Sequence, residues 1–393
     1  MKKSALFVTL TLAALVLGRA QEIDIGKDID ILGRVKPIPV SLSGFSGETE
    51  EVLKFDLYVQ GYSFVSPAEA QFNISGSNGG NVVGQVVDKL QNKTILSRSY
   101  NGASLRRQSH AFADDIVAAT LQAAGKEASK PIGGGKIAYK SQTPYGIGEI
   151  YLADFDGNNG QQITHDGVIV AKPAWLSGKL ALFYTSYAQT YPEIFYQNLS
   201  TGQRKVFADF PGLNTSASVS PDGSKVAMVL SKSGSPNIWI ANASGGGFKR
   251  LTTGLEDSSP CWSPDGRYIC FATKFHERRR LAKIPAGGGE ITYLNTAGAG
   301  NPTEPDWSPD GKWIAFTRLA GDFDICVMPA DGNLPPKVMV AGQNPSWSPN
   351  SRTLIFNHGS GGHQTLSVLD VFTKQYKDCR RAPGSNSQAA WAR

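Results

Sequence analysis

A five-residue phrase, Trp-Ser-Pro-Asp-Gly, constrains this chain more than any other feature. It stands at Trp262–Gly266 and Trp307–Gly311, with weaker copies at Val219–Gly223, Trp347–Ser351 and Trp175–Gly178. The anchor positions 175, 219, 262, 307 and 347 lie 44, 43, 45 and 40 residues apart. A fixed period of about 40–45 residues built from short strands is the signature of a β-propeller, with one four-stranded blade per repeat.

The phrase has a local reason. Pro presets φ at the second position of a tight turn, Asp tolerates the third, and Gly accepts a positive φ. An alternating strand follows each turn: Lys225–Val229, Arg267–Phe271, Lys312–Phe316 and Thr353–Phe356. A third strand is read at Asn237–Ile240, Asp324–Met328 and Thr365–Leu369, and a Gly-rich turn leads to a fourth, as at Phe248–Leu251. Four strands in one period leave no room for a helix. The repeated Trp is expected to fill the core.

Two partial repeats complete the count. Lys136–Tyr139, Glu149–Leu152 and Gln161–Thr164 make a blade without its first strand. Ala389–Arg393 makes a first strand without its blade, and Trp391 follows Trp347 by 44 residues. The last strand is therefore expected to complete the first blade and close a ring of six. Closure removes the exposed sheet edges that an open ring would present.

Residues 1–20 read as a secretory signal: Lys2 and Lys3, an apolar run from Ala5 to Leu17, then small residues up to a cleavage point after Ala20. That run is short for a membrane span, and no direct membrane insertion is expected. Of 39 basic residues, Lys2, Lys3 and Arg19 leave with the signal, so 36 face 33 acidic ones and the net charge falls from +6 to +3. Arg278–Arg280, the densest basic run, is read as a solvated loop, and no nucleic-acid partner is expected. An exported location permits disulfides. Cys261 and Cys270 flank one hairpin, in a register read as diagonal rather than directly opposed. Separate buried thiols are expected there, with a 261–270 bridge as the alternative.

Residues 21–130 read as a small α/β domain. Glu22–Ile31 alternates like an exposed strand. A helix begins near Thr49, strands follow at Phe72–Ile74, Asn81–Val87 and Thr94–Tyr100, and a helix capped by Ser104 runs from Leu105 to Ala124. The linker ends in Gly133–Gly135, which lacks the Lys-Ser/Thr of a phosphate loop. The fold class is thus a small N-terminal α/β domain (21–130) followed by an all-β six-bladed propeller (131–393) closed by its last strand.

A signal, a small α/β domain and a propeller with these turns together resemble the TolB family, the periplasmic propellers of the Tol–Pal system. The closest propeller matches are Ile137–Tyr139, Asp154–Gly157, Pro173–Trp175, Ser220–Lys225, Leu230–Ser235 and Thr303–Pro305; Val83–Val86 resembles a strand of the first domain. The resemblance implies a non-enzymatic periplasmic scaffold with no catalytic residue, expected to act as a monomer. Some channels of the family bind Ca²⁺, but nothing in this sequence resembles a dedicated Ca²⁺ loop, so no metal site and no cofactor are expected. It also implies a role in outer-membrane integrity and constriction at cell division.

By the same resemblance, a TolA-like inner-membrane protein docks on the N-terminal strand through Glu22, Ile23, Asp24, Ile25, Ile29 and Ile31. Strand addition to a sheet edge is a known mode of recognition. A peptidoglycan-associated lipoprotein (Pal-like) is held at the propeller mouth by segments just before each first strand: Leu213, Asn214, Thr215, Asp257, Ser258, Asn301, Thr303, Glu304 and Asn344. Bacteriocins that exploit the system are a further expected partner class. The family's Phe-Pro-Arg-His-Asn stretch survives here as Phe210, Pro211 and Asn214, with Gly212 and Leu213 in place of Arg and His.

The alternative is an exported propeller hydrolase or lyase acting on polysaccharide or peptide. A propeller-linked serine peptidase would need Gly-x-Ser-x-Gly, which the sequence lacks. His358 and His363 flank a Gly-rich turn and are read as incidental rather than as a metal pair.

Overall fold

The computed structural model describes residues 35–359, 362–379, 382 and 384–393. The signal and the Glu22–Ile31 strand lie outside the described residues. The N-terminal unit is a five-stranded sheet in the order Tyr62–Phe64, Ile38–Ser43, Phe72–Ser77, Val83–Asp88, Lys93–Ser99. Ile38–Ser43 pairs in parallel with both neighbours, and the remaining pairs are antiparallel. Helices α1 (Gly47–Tyr58) and α2 (Leu105–Ala123) connect and cover these strands. Ser104 caps α2, its Oγ accepting from Arg107 N at 3.3 Å. Leu53, Leu57, Phe72, Ile74, Val86, Phe112 and Ile116 form the core. Helix and sheet meet so closely that a Cβ on Gly84 would stand 2.1 Å from the Phe112 ring. No described helix is long and apolar enough to cross a membrane.

Among the described residues the remainder forms six four-stranded sheets. Blade 1 joins Ser385–Trp391 to strands within 136–162. Blades 2 to 6 span 170–208, 214–250, 258–293, 301–341 and 343–378. The ring closes as expected: Ser385–Trp391 pairs antiparallel with Lys136–Gln142, with Trp391 opposite Ile137.

The turn phrase does more than bend the chain. Ser263 Oγ donates to Asp265 at 2.6 Å and accepts from Tyr268 N at 2.9 Å, Asp265 accepts from Arg267 N at 3.0 Å, and Gly266 takes φ +70°. The same wiring recurs at Ser220/Asp222 and Ser308/Asp310. The repeated Trp also exceeds its expected role as filler. Trp175, Trp262 and Trp347 each donate the indole N–H to a carbonyl of the preceding blade, at Ala390, Ser218 and Asp306, over 2.9–3.1 Å. Each such bond contributes about 1 kcal/mol.

Two sequence readings are corrected. The Cys261–Cys270 register is direct, not diagonal. Ser263 N bonds Tyr268 O at 2.9 Å, and counting back from that closure sets 261 opposite 270. Arg278–Arg280 is not a loop but the start of the strand Arg278–Pro285. The hairpin needs only His276 and Glu277, at φ 45° and 61°, so Phe275 already faces Arg278. Positive φ at both central residues is the two-residue hairpin turn that matches strand twist.

All innermost strands run the same way, so the turns after the first and third strands share one face of the ring. The N-terminal unit sits there, against blades 1 and 6. Phe55 packs on Phe155, Gln375 Nε2 donates to Tyr62 O at 3.1 Å, and Asp114 accepts from Ile132 N and Gly133 N at 3.0 Å. Arg106 pairs with Asp156 and, at 3.8 Å, with Asp154. His110 Nδ1 lies 2.6 Å from Asp56, both buried. Burial pushes the Asp56 carboxyl up to about 6, against the pull of His110. The His110 pKa is also raised: burial opposes this, but Asp56 and then Asp156 outweigh it. Among the described residues, nothing packs over the opposite face, where each innermost strand begins.

Candidate functional site

The axial channel is built from one repeated irregularity. Each innermost strand carries a bulge against its partner, at Thr215/Ser218, Ser258/Cys261, Thr303/Asp306, Gln343/Ser346 and Ser387/Ala390, and opposite Phe183/Thr185 in blade 2. In every bulge one non-glycine residue has a left-handed backbone: Lys172, Ser216, Ser259, Glu304, Asn344 and Gln388, at φ 52–56°. A bulge bends its strand and re-aims a side chain. All six residues line one cavity of about 220 Å³ on the ring axis.

These side chains bolt the channel across its diameter. Lys172 of blade 2 reaches Glu304 of blade 5, directly opposite in a ring of six, with Nζ 2.8 Å from Oε1. The same ammonium donates to Asn344 Oδ1 at 3.0 Å, and Gln388 Oε1 accepts from Lys172 N at 2.9 Å. Glu304 Oε2 accepts from Thr317 Oγ1 at 2.8 Å and Asn344 N at 3.2 Å. Burial works to raise the Glu304 pKa. The Lys172 charge and these hydrogen bonds outweigh it and hold the carboxyl below its ordinary value. Farther along, Arg393 donates to Trp347 O at 3.1 Å and Trp307 O at 3.2 Å and pairs with Asp306, narrowing the end of the channel nearer the N-terminal unit.

The residues expected at the mouth divide into four groups. Glu304 and Asn344 belong to the channel bolt. Asn214 and Asp257 are buried and spend their hydrogen bonds on the mouth loops themselves. Asn214 donates to Pro192 O, Phe210 O and Gly212 O at 2.6–3.2 Å, and Asp257 accepts from Asn237 Nδ2 and Thr273 Oγ1. Thr215 meets Thr185 across the blade interface at 3.1 Å, and Ser258 accepts from Arg279 at 2.6 Å. Leu213, Thr303 and the exposed Asn301 stand where their blades begin at the uncovered face.

That face also carries exposed apolar side chains that the sequence reading missed. Tyr145 (91% exposed) lies in the turn between the second and third strands of blade 1, and Tyr187 and Tyr191 flank the same turn of blade 2. Ile169 and Leu255 (71% exposed) lead into blades 2 and 4, and Phe323 opens the third strand of blade 5. Among the described residues, no group of three or more His, Cys, Asp or Glu is placed to hold a metal ion. His358 instead bonds Asp378 at 3.0 Å.

The family model described as the TolB beta propeller domain matches residues 132–393. The chain belongs to the TolB β-propeller family. The "Protein TolB homolog" of Chlorobium chlorochromatii is 30% identical over 205 residues, covering 50% of this chain and 44% of that one. The "Tol-Pal system protein TolB" of Desulfosudis oleivorans is 31% identical over 170 residues, 43% of this chain and 37% of its own. This chain thus spans less than half the length of these curated relatives. The crystal structure of TolB from Acinetobacter baumannii superposes with a TM-score of 0.81 over 92% of this chain and 98% of that chain. Identity there is 21%, so the likeness is one of fold: an α/β unit followed by a closed six-bladed propeller.

Proposed function

We propose that this chain is a non-enzymatic periplasmic scaffold of the Tol–Pal envelope complex, supporting outer-membrane integrity and constriction at division. It is read as a cleaved leader (1–20), an α/β domain (21–130) and a propeller (131–393). A peptidoglycan-associated lipoprotein is held at the propeller mouth, and a TolA-like protein docks on the strand Glu22–Ile31. The observation that carries the reading is the asymmetry of the ring. One face carries the N-terminal unit against blades 1 and 6, while the other, among the described residues, carries no such unit and is ringed by Tyr145, Ile169, Tyr187, Tyr191, Leu255 and Phe323. Exposed apolar groups gathered on one face of a rigid body mark a protein-binding surface. The channel chemistry supports the same reading: its acid is bound to a lysine, and its side chains are committed to one another, which favours a structural plug over a catalytic centre.

Within this reading, Leu213, Asn301 and Thr303 contact the partner with the apolar rim. Asn214 and Asp257 hold the loops in shape, and Glu304 and Asn344 set the depth of the mouth. Affinity capture from envelope extracts tests it, using chain 21–393 and a form lacking 21–31. Both should recover a lipoprotein, and only the longer should recover the inner-membrane partner. Recovery of no lipoprotein by either form would reject the scaffold. Equal recovery of the inner-membrane partner by both would reject the role of the strand.

A further inference from the structure

We propose that Cys261 and Cys270 form a disulfide that staples the two innermost strands of blade 4 once the chain reaches an oxidising compartment. The inference rests on the exported location argued above. The two residues are direct partners in an antiparallel ladder. Facing residues of such a ladder have Cα atoms about 4.5–5.5 Å apart, inside the window of about 4.4–6.8 Å that a disulfide spans. Both are buried in one cluster with Ala272, Leu281 and Phe316. Cys326 shares that cluster but sits on blade 5 opposite Phe316, and Cys379 lies in the separate cluster beside Phe155 and Trp391.

The ring supplies its own comparison. The same backbone pair recurs as Ser218/Ala227, Asp306/Ala315, Ser346/Ile355, Ala390/Ala138 and Ala174/Phe183. Packing at this site is satisfied by several residue pairs, and blade 4 alone of the six places a thiol on both strands. Cys261 also lines the axial cavity and is 6% exposed against 0% for Cys270, so it is the residue of the pair nearer to solvent.

The chemistry balances by thiol–disulfide exchange with a disulfide oxidant. The Cys261 thiolate attacks one sulfur of the oxidant, giving a mixed disulfide and releasing the other as a thiolate. The Cys270 thiolate then attacks the Cys261 sulfur and expels the second. Two electrons pass to the oxidant, and the two protons from the cysteines end on its thiols. Burial raises the Cys261 thiol well above its usual range, with Cys270 adding to the effect. A folded, reduced chain therefore exchanges slowly, and the bond forms before the blade closes.

Two preparations of the full chain separate this inference from the location it assumes. One is exported by its own leader and purified without reductant. The other is made reduced, unfolded, and refolded in reduced and oxidised glutathione. Each is then denatured with an alkylating reagent and digested with trypsin. Two alkylated thiols out of four are expected. Peptides 251–267 and 268–274 should travel as one species, 2 Da below their sum, until reduced. Linkage in the refolded chain alone, with residues 1–20 still attached in the other, supports the bond and refutes the exported location. Four alkylated thiols in both preparations, or a link through Cys326 or Cys379, overturns the inference. Cys261→Ser, which copies Ser218 and Ser346, should give three alkylated thiols and no linked peptides.

Discussion

Replacing Glu304 by Gln removes the charge that meets Lys172 across the channel while keeping its shape. The two side chains are 20% and 27% exposed, and their contact is 2.8 Å. Breaking a fully buried pair from one side costs about 3–5 kcal/mol, and an exposed pair contributes about 0–1 kcal/mol. Partial access to the channel places this pair between those limits, at about 2 kcal/mol. For a unit of this size each kcal/mol moves Tm by about 2–4 °C, so Glu304→Gln should lower it by roughly 4–8 °C. Lys172→Met should cost at least as much, because it leaves a carboxylate in the channel without its cation. The double variant should recover about 1–2 kcal/mol relative to the summed single losses. Scanning calorimetry between pH 7 and pH 3 adds an independent check. The folded-state pKa of Glu304 is depressed, so its contribution is fully present above the unfolded carboxyl value of about 4.3 and is lost as pH falls through the folded value. The gap between wild type and Glu304→Gln should therefore close in acid. Additive single losses, or a gap that does not change with pH, would refute the bolt.

Trp262→Phe should destabilise by about 1 kcal/mol through loss of the bond to Ser218 O, in denaturant unfolding. Trp391→Phe should cost less, since the Trp391 indole N–H is buried without a partner among the described residues. Ser263→Ala should cost about 1 kcal/mol by the same assay, because Tyr268 N and Asp265 both lose a partner. Asp56 and His110 hold their protons more tightly in the folded state, so stability should fall as pH rises, first through about 6 for Asp56 and then above the ordinary histidine value. Asp56→Asn should flatten both parts of that slope, because Asp56 is also the larger of the two charges that raise His110, read as Tm against pH from 5 to 8.

The propeller was legible because its signal is local. Pro, Asp and Gly specify a turn whatever lies around them, and the anchors repeat it at blade spacing. The closing strand was legible for the same reason, since Trp391 keeps that spacing. The channel was not. The six left-handed residues that line it stand three positions before 175, 219, 262, 307, 347 and 391, but they are Lys, Ser, Ser, Glu, Asn and Gln. What they share is a left-handed backbone inside a bulge, which no residue type announces. The constant offset from the anchors was the available signal. Glu304 and Asn344 were found by resemblance, whereas Lys172 and Gln388 were not, because blades 1 and 2 lack the full phrase. In the first domain the strands Ile38–Ser43 and Tyr62–Phe64 escaped notice. Pro37 and Pro39 interrupt any alternation, and the second strand is only three residues long. Asn214 and Asp257 were placed at the mouth by resemblance, which gives a segment's position but not the burial of its side chains; here they are the buried supports of those loops.

Photo-crosslinking from the intact envelope tests the central claim most directly. A photoreactive residue at Tyr187, on the uncovered face, should yield an adduct with a peptidoglycan-associated lipoprotein. The same probe at Leu334, an exposed position on the opposite face, should yield none. A lipoprotein adduct from Leu334 and not from Tyr187 would contradict the account.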